Sequence, residues 1–222
     1  MTVFAVPHSW DLTPAEAIAL QRKLALQIIT EDRFGRVQTA AGVDVGFQEG
    51  GAVTRAAVAV LSYPELQLLE TAIACRPTTF TYIPGLLSFR ELPAVLDALA
   101  KLSSIPDLLL CDGQGIAHPR HLGIASHLGL ITDIPAIGVA KTRLYGIYGK
   151  VPEQRGAWTP LRAEGEIIGA VLRTRAKVRP VFVSPGHRIS MKTAIHYVMG
   201  CTTSFRLPET TRQAHRLASR LA

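Results

Sequence analysis

Long apolar runs are missing from this sequence. No segment approaches the ~18 uninterrupted apolar residues that a membrane-spanning helix needs, so no membrane partner is expected. The opening, MTVFAVPHSWDLT, has neither the basic n-region nor the apolar h-region of a signal peptide, and a cytoplasmic location is expected. Cysteine is scarce. Cys75, Cys111 and Cys201 lie far apart and fit neither a zinc spacing nor an even disulfide set, which predicts reduced, mostly buried thiols. Repeats, low-complexity tracts and Pro/Gly/Ser linkers are also missing, so residues 1–222 read as a single domain. Negative charge is the minority: 24 basic against 17 acidic residues leave +7, which points towards an anionic partner such as nucleic acid.

What is present is 48% apolar content in regular periods, enough for a sizeable core. TPAEAIALQRKLALQII has a capping box at Thr13 and Glu16, with Pro14 at the first helical position, and predicts a helix. VQTAAGVDVGFQ, AVTRAAVAVLSY and LQLLETAIACRPTTF predict three antiparallel strands, the last two joined by a YPEL turn. SFRELPAVLDALAKL predicts a helix that Pro93 delays or kinks. The run DLLLCD suits a strand buried on both faces. HLGIASHLGLITD follows as a helix, PAIGVAK as a strand, and EIIGAVLRTRAKVRPVFVS as a hairpin. SMKTAIHYVMG and LPETTRQAHRLASRLA close the chain as helices. A meander followed by alternating helix and strand predicts an α/β fold: a mixed sheet with helices on both faces.

Three carboxylates interrupt apolar surroundings. Asp44 stands mid-strand between two valines, Asp112 ends the DLLLCD strand, and Glu91 falls in the first turn of its helix. Each alone reads equally as a cap or turn residue. Together at strand ends, where sites gather in α/β sheets, they would form an oxygen cage for a hard divalent ion. His118, His121 and His127 match no zinc motif. His121 and His127 read as structural residues on a helix, His187 as part of a turn, and His215 as facing either core or site. Arg173, Arg175, Lys177 and Arg179 alternate, hence share one strand face. That face is either a phosphate-tracking stripe or a charged guard on an edge strand.

Four stretches carry a resemblance: YIPGLLSFRE, CDGQGIAHPRHLGIASHLG, IGVAKT and SPGHRIS. With GVDVGF before them and TRQAHRLASR after, they closely resemble the endonuclease V family over nearly the whole chain. The family usually has Ser where Thr142 stands, and the hydroxyl is kept. The resemblance implies a ribonuclease H-like fold with Asp44, Asp112 and Glu91 binding Mg²⁺, or Mn²⁺ in its place. It also implies Lys141 near the scissile phosphate and His215 reaching in from the last helix. The implied reaction is a nick at the second phosphodiester bond 3′ to a deaminated base, chiefly deoxyinosine, leaving a 3′-hydroxyl and a 5′-phosphate. Tyr82, Ile83 and Pro84 would form the wedge, and Gly85, Leu87, Gly113 and His118 would complete the nucleic-acid contacts of a monomeric enzyme. The alternatives are an inosine-specific endoribonuclease acting on RNA, and a non-catalytic module binding inosine-containing nucleic acid.

Overall fold

The computed structural model describes residues 4–219. Three ten-residue strands form the meander: β1 (Thr39–Gln48), β2 (Val53–Ser62) and β3 (Leu68–Pro77). The short β4 (Leu108–Cys111) and β5 (Ala136–Ala140) follow, then β6 (Trp158–Ala163), β7 (Glu166–Leu172) and β8 (Val181–His187). They make one eight-stranded sheet in the order β3-β2-β1-β4-β5-β8-β7-β6. The β1–β4 and β4–β5 pairs are parallel and the rest are antiparallel, which is a ribonuclease H-like mixed sheet.

Among the described residues, five α-helices cover the sheet: α1 (Pro14–Ala25), α2 (Leu87–Leu99), α3 (Ile124–Thr132), α4 (Met191–Gly200) and α5 (Glu209–Ala218). The period-2 rule divides the central strands between two cores. Ala41, Val43, Leu109 and Cys111 face α2 and α3, whereas Ala40, Leu108, Leu110, Ile137 and Val139 face α4. Helix α5 lies on the α4 side, with Ala214 against Ala59 and Leu61. Helix α1 forms an outer layer, its Ala17 packed with Phe80, Leu86 and Phe89.

Several expectations are corrected. The Thr13–Glu16 capping box forms, but α1 stops at Ala25 because the next apolar residue, Leu26, is exposed and nothing buries a further turn. Helix α2 starts at Leu87 and continues past Pro93 to Leu99. Ten of its thirteen residues are buried, and that packing offsets the hydrogen bond a proline cannot make. Glu91 is therefore in the second turn. Cys75 is exposed on the edge strand β3, while Cys111 and Cys201 are buried. Strand β6 was not foreseen, since Pro160 argues against a strand, yet β6 is an edge where a missing donor is tolerated. The Arg173–Arg179 segment is a turn between β7 and β8, not a strand, so its cations share no face. Arg173 donates to the carbonyls of Pro152, Val151 and Val178, which makes it a brace. His121 precedes α3 with φ 53°, and His187 ends strand β8. The expected closing helix ends at Ala218, and its expected extension to Ala222 lies outside the described residues.

Candidate active site

Strand β1 outruns its neighbour. Its Ala40–Val43 pair with Leu108–Cys111 of β4, and Asp112 N donates to Val43 O at 3.0 Å. Asp44 is the next residue, midway along β1, and Asp112 is the next after β4, so two parallel strands deliver two carboxylates side by side where β4 ends. Strand β5 pairs with β4 on the other flank and places Lys141 just past its own end. Lys141 Nζ forms a very short ion pair with Asp112 Oδ2.

The third element is α5. A Cβ at Gly42 would lie 1.9 Å from Thr210 O, and one at Gly46 would lie 2.5 Å from Ala218 O. Gly42, Asp44 and Gly46 share one strand face. The two glycines let the α5 backbone lie against β1, and the aspartate between them meets the helix. There His215 Nδ1 donates to Asp44 Oδ2 at 2.6 Å. Ligand atoms of Asp44, Asp112 and His215 all lie within 4.8 Å of one another.

Glu91 reaches the cluster from α2 on the opposite face and is 7% exposed. Burial, then the charges of Asp44 and Asp112, push its carboxyl up to about 8, and only Arg90 counters them. Burial and Asp112 also raise Asp44, opposed by the His215 hydrogen bond, the Val45 amide and Lys141. A concentration of buried negative charge this strong fits a bound cation, and the donor set is oxygen-rich as hard divalent ions require. The sequence placed the three acids together. It did not anticipate that His215, rather than Glu91, would share the tight donor cluster with the two aspartates.

Beside this cluster a pocket opens between the loop before α2 and the start of α3. Tyr82, Ile83, Pro84, Gly85, Leu87 and His118 line it, as do Gln21, Gln114, Ile124 and Leu144. Tyr82 is 63% exposed at the rim. Gly113 does not line the pocket. A Cβ there would lie 2.5 Å from Ile124 Cγ2, so this glycine makes room for the wall. Gly115 likewise makes room for the Pro185 carbonyl, 2.0 Å from where its Cβ would stand.

The loop is anchored through one atom. Gly85 O accepts hydrogen bonds from Gln21 Nε2 (2.9 Å), His118 Nε2 (2.9 Å) and Arg120 Nη2 (2.8 Å). Arg120 N donates to His118 Nδ1, which fixes the proton of His118 on Nε2. Burial lowers His118 to about 4, so it stays neutral. Gln21 and Arg120 escaped the sequence reading. A buried glutamine amid the apolar positions of an amphipathic helix was the available signal.

A family model described as Endonuclease V matches residues 22–216. An endonuclease V from a Nostoc species is 62% identical over 96% of this chain and 97% of its own length. The crystal structure of endonuclease V from Streptomyces avermitilis superposes with a TM-score of 0.90 at 41% identity, covering 98% of this chain and 96% of that one. Ciona intestinalis endonuclease V, in complex with a 23mer DNA containing an inosine followed by a ribo-adenosine, gives 0.82 at 29% identity. That match covers 93% of this chain and 97% of that one.

Proposed function

The chain belongs to the endonuclease V family, nucleases that hydrolyse phosphodiester bonds in DNA, and from that premise we propose how its residues share the work. The substrate is DNA carrying a deaminated base, chiefly deoxyinosine. The bond broken is the second phosphodiester 3′ to the lesion, leaving a 3′-hydroxyl and a 5′-phosphate. The enzyme acts as a cytoplasmic monomer.

The observation that carries this reading is the convergence of Asp44, Asp112, Glu91, His215 and Lys141 where β4 and β5 end beside the middle of β1. Asp44, Asp112 and Glu91 would hold Mg²⁺, or Mn²⁺ in its place. The chemistry such an ion supplies is a more acidic bound water and neutralisation of charge on the phosphate. Lys141 presents an ammonium beside Asp112, where charge develops on the scissile phosphate. His215 holds Asp44 in one orientation through Nδ1. Tyr82, Ile83 and Pro84 stand at the rim as a wedge for the gap left by an extruded base, and the pocket behind them receives that base. Gly85, Leu87 and His118 shape the pocket wall.

The test is a duplex with one inosine, incubated with wild type and Asp112→Ala, with the nick mapped at nucleotide resolution. A wild-type nick at any other bond, or full activity in the variant, rejects the assignment. A second reading, cleavage of inosine-containing RNA, is favoured by the ribo-adenosine beside the inosine in the strand bound by the Ciona relative. Matched RNA and DNA strands decide between them. The intact acid cluster argues against a non-catalytic binding module.

A further inference from the structure

A second groove shares two of its walls with the acid cluster. Lys141 and His215 form one end, and Phe205, Arg206, Arg212 and Arg216 continue it along α5. Nothing in the acid cluster's chemistry requires this extension. Phe205 is 49% exposed in the loop before α5, although burying an aromatic ring is ordinarily favourable.

The ring is nevertheless held firmly. The Arg212 guanidinium lies 3.4 Å from its centroid. Arg212 in turn donates to both carboxylate oxygens of Glu209 at 2.7 Å, and Thr203 Oγ1 donates to Glu209 Oε1 at 2.7 Å. One face of Phe205 is thus backed by a cation whose charge Glu209 already balances, and the rest of the ring is left to solvent. Arg216 stands one turn beyond Arg212 on the same face of α5 and is exposed. Arg206 turns inward and donates to the carbonyls of Lys141 and Pro180, tying the floor of the groove to the end of β5.

An exposed π face braced from behind, flanked by an exposed guanidinium and continuous with a phosphodiester-cleaving site, has the chemistry of a single-stranded nucleic-acid track. Bases stack on such a ring, and phosphates meet the cations beside it. We infer that the strand leaving the scissile phosphate on one side runs along this groove, with a base stacked on Phe205 and a phosphate at Arg216. The inference rests on the nuclease reading above and adds the path that the substrate follows away from the acids.

The experiment measures affinity by fluorescence anisotropy in EDTA, where no cleavage occurs. The probes are an inosine-containing strand and versions shortened on its 3′ or its 5′ side. Phe205→Ala and Phe205→Leu should both weaken binding of the full strand about tenfold. Phe205→Trp should keep or tighten it, since leucine covers Arg212 but offers no π face. The loss should vanish on the strand shortened on one side only. Arg216→Gln should lower the slope of log affinity against log salt by about 0.7 to 0.9. Wild-type affinity in Phe205→Ala or Phe205→Leu overturns the proposal, as does an equal loss on both shortened strands. If wild type fails to prefer inosine over guanine while Phe205→Ala still weakens the full-length strand with either base, and not the strand shortened on one side, the lesion reading has failed and the track stands.

Discussion

His215 Nδ1 meets Asp44 Oδ2 at 2.6 Å, a contact that joins the last helix to the first strand across 171 positions of sequence. The contact exists because Gly42 and Gly46 let α5 lie against β1. It ties the position of one acid to the docking of the chain's final element.

That relationship predicts a selective loss. His215 is half-exposed, so His215→Ala empties little of the core, and the lost hydrogen bond to Asp44 should cost at most about 1–3 kcal/mol of stability. Removing a group that orients a metal-site carboxylate typically costs about 10- to 100-fold in activity. Thermal melting and kcat on an inosine duplex check both halves. A large fall in Tm with unchanged specific activity would show that His215 only packs.

Loading of the acid cluster should be visible without catalysis. Three acids held close together destabilise the metal-free fold, and a divalent ion relieves that repulsion. At a hundredfold excess over Kd, Mg²⁺ should add about 2.7 kcal/mol of stability to wild type. Asp112→Ala should lose this gain and, without metal, be at least as stable as wild type. Lys141 would lose its partner, but its side chain is 38% exposed and water replaces the pairing cheaply. Equal Mg²⁺-induced shifts in the two proteins would rule out Asp112 as a ligand.

A pH effect arises elsewhere, in a chain of hydrogen bonds whose proton positions follow from its ends. His8 Nδ1 donates to Ser9 O at 2.8 Å, so its Nε2 accepts from His127 Nε2 at 2.8 Å. His127 Nδ1 then accepts from Ser88 Oγ at 3.0 Å. His127 is fully buried. Burial, then the His8 charge, lower it to about 3. The unfolded chain takes up this proton near pH 6.5 and the native state holds out to about 3. Full stability is therefore present above about pH 6.5 and lost as pH falls below it, at up to ~1.4 kcal/mol per pH unit. His127→Gln supplies a donor and an acceptor without titrating, and should flatten this slope. Urea unfolding between pH 7 and pH 5 measures it, and parallel slopes for the two proteins would exclude His127 as the source.

The legible parts of this protein were those where a local pattern fixes the outcome. The β-rich runs of β1 and β2, the capping box at Thr13 and the buried run ending at Asp112 each determine their own structure, and from them the sheet and the pair of aspartates follow. The stripe at Arg173–Arg179 misled because alternation was the only cue. A tight turn with Lys177 at φ 59° satisfies Arg173 on backbone carbonyls instead. The Gln21–Arg120–Gly85 anchor was invisible because its members lie 35 or more positions from the carbonyl they hold, and no period connects them. Gly113 showed the opposite failure. Its importance was legible, but its contact was not.

That contact supports the last prediction. Hypoxanthine lacks the 2-amino group of guanine, and a close-fitting pocket that strands this amine penalises guanine by ~1–3 kcal/mol, roughly tenfold to hundredfold. The fit depends on Ile124, which lines the pocket and occupies the space where a Gly113 side chain would begin. Gly113→Ala should push the Ile124 methyl out of position, weakening inosine binding and narrowing the preference over guanine. Removing the obstructing branch should restore both. Ile124→Leu, which has no Cγ2, should on its own cost less than about 1.5 kcal/mol of stability, whereas in the Gly113→Ala background it should recover affinity. Tyr82→Ala removes a rim residue that is largely exposed. It should weaken the hold on the lesion and on the nicked product while leaving Tm unchanged. The measurement is affinity and cleavage on inosine- and guanine-containing duplexes of one sequence, for the single and double variants. Additive effects of Gly113→Ala and Ile124→Leu would mean that the two residues do not act through one contact, and the pocket wall would need another account.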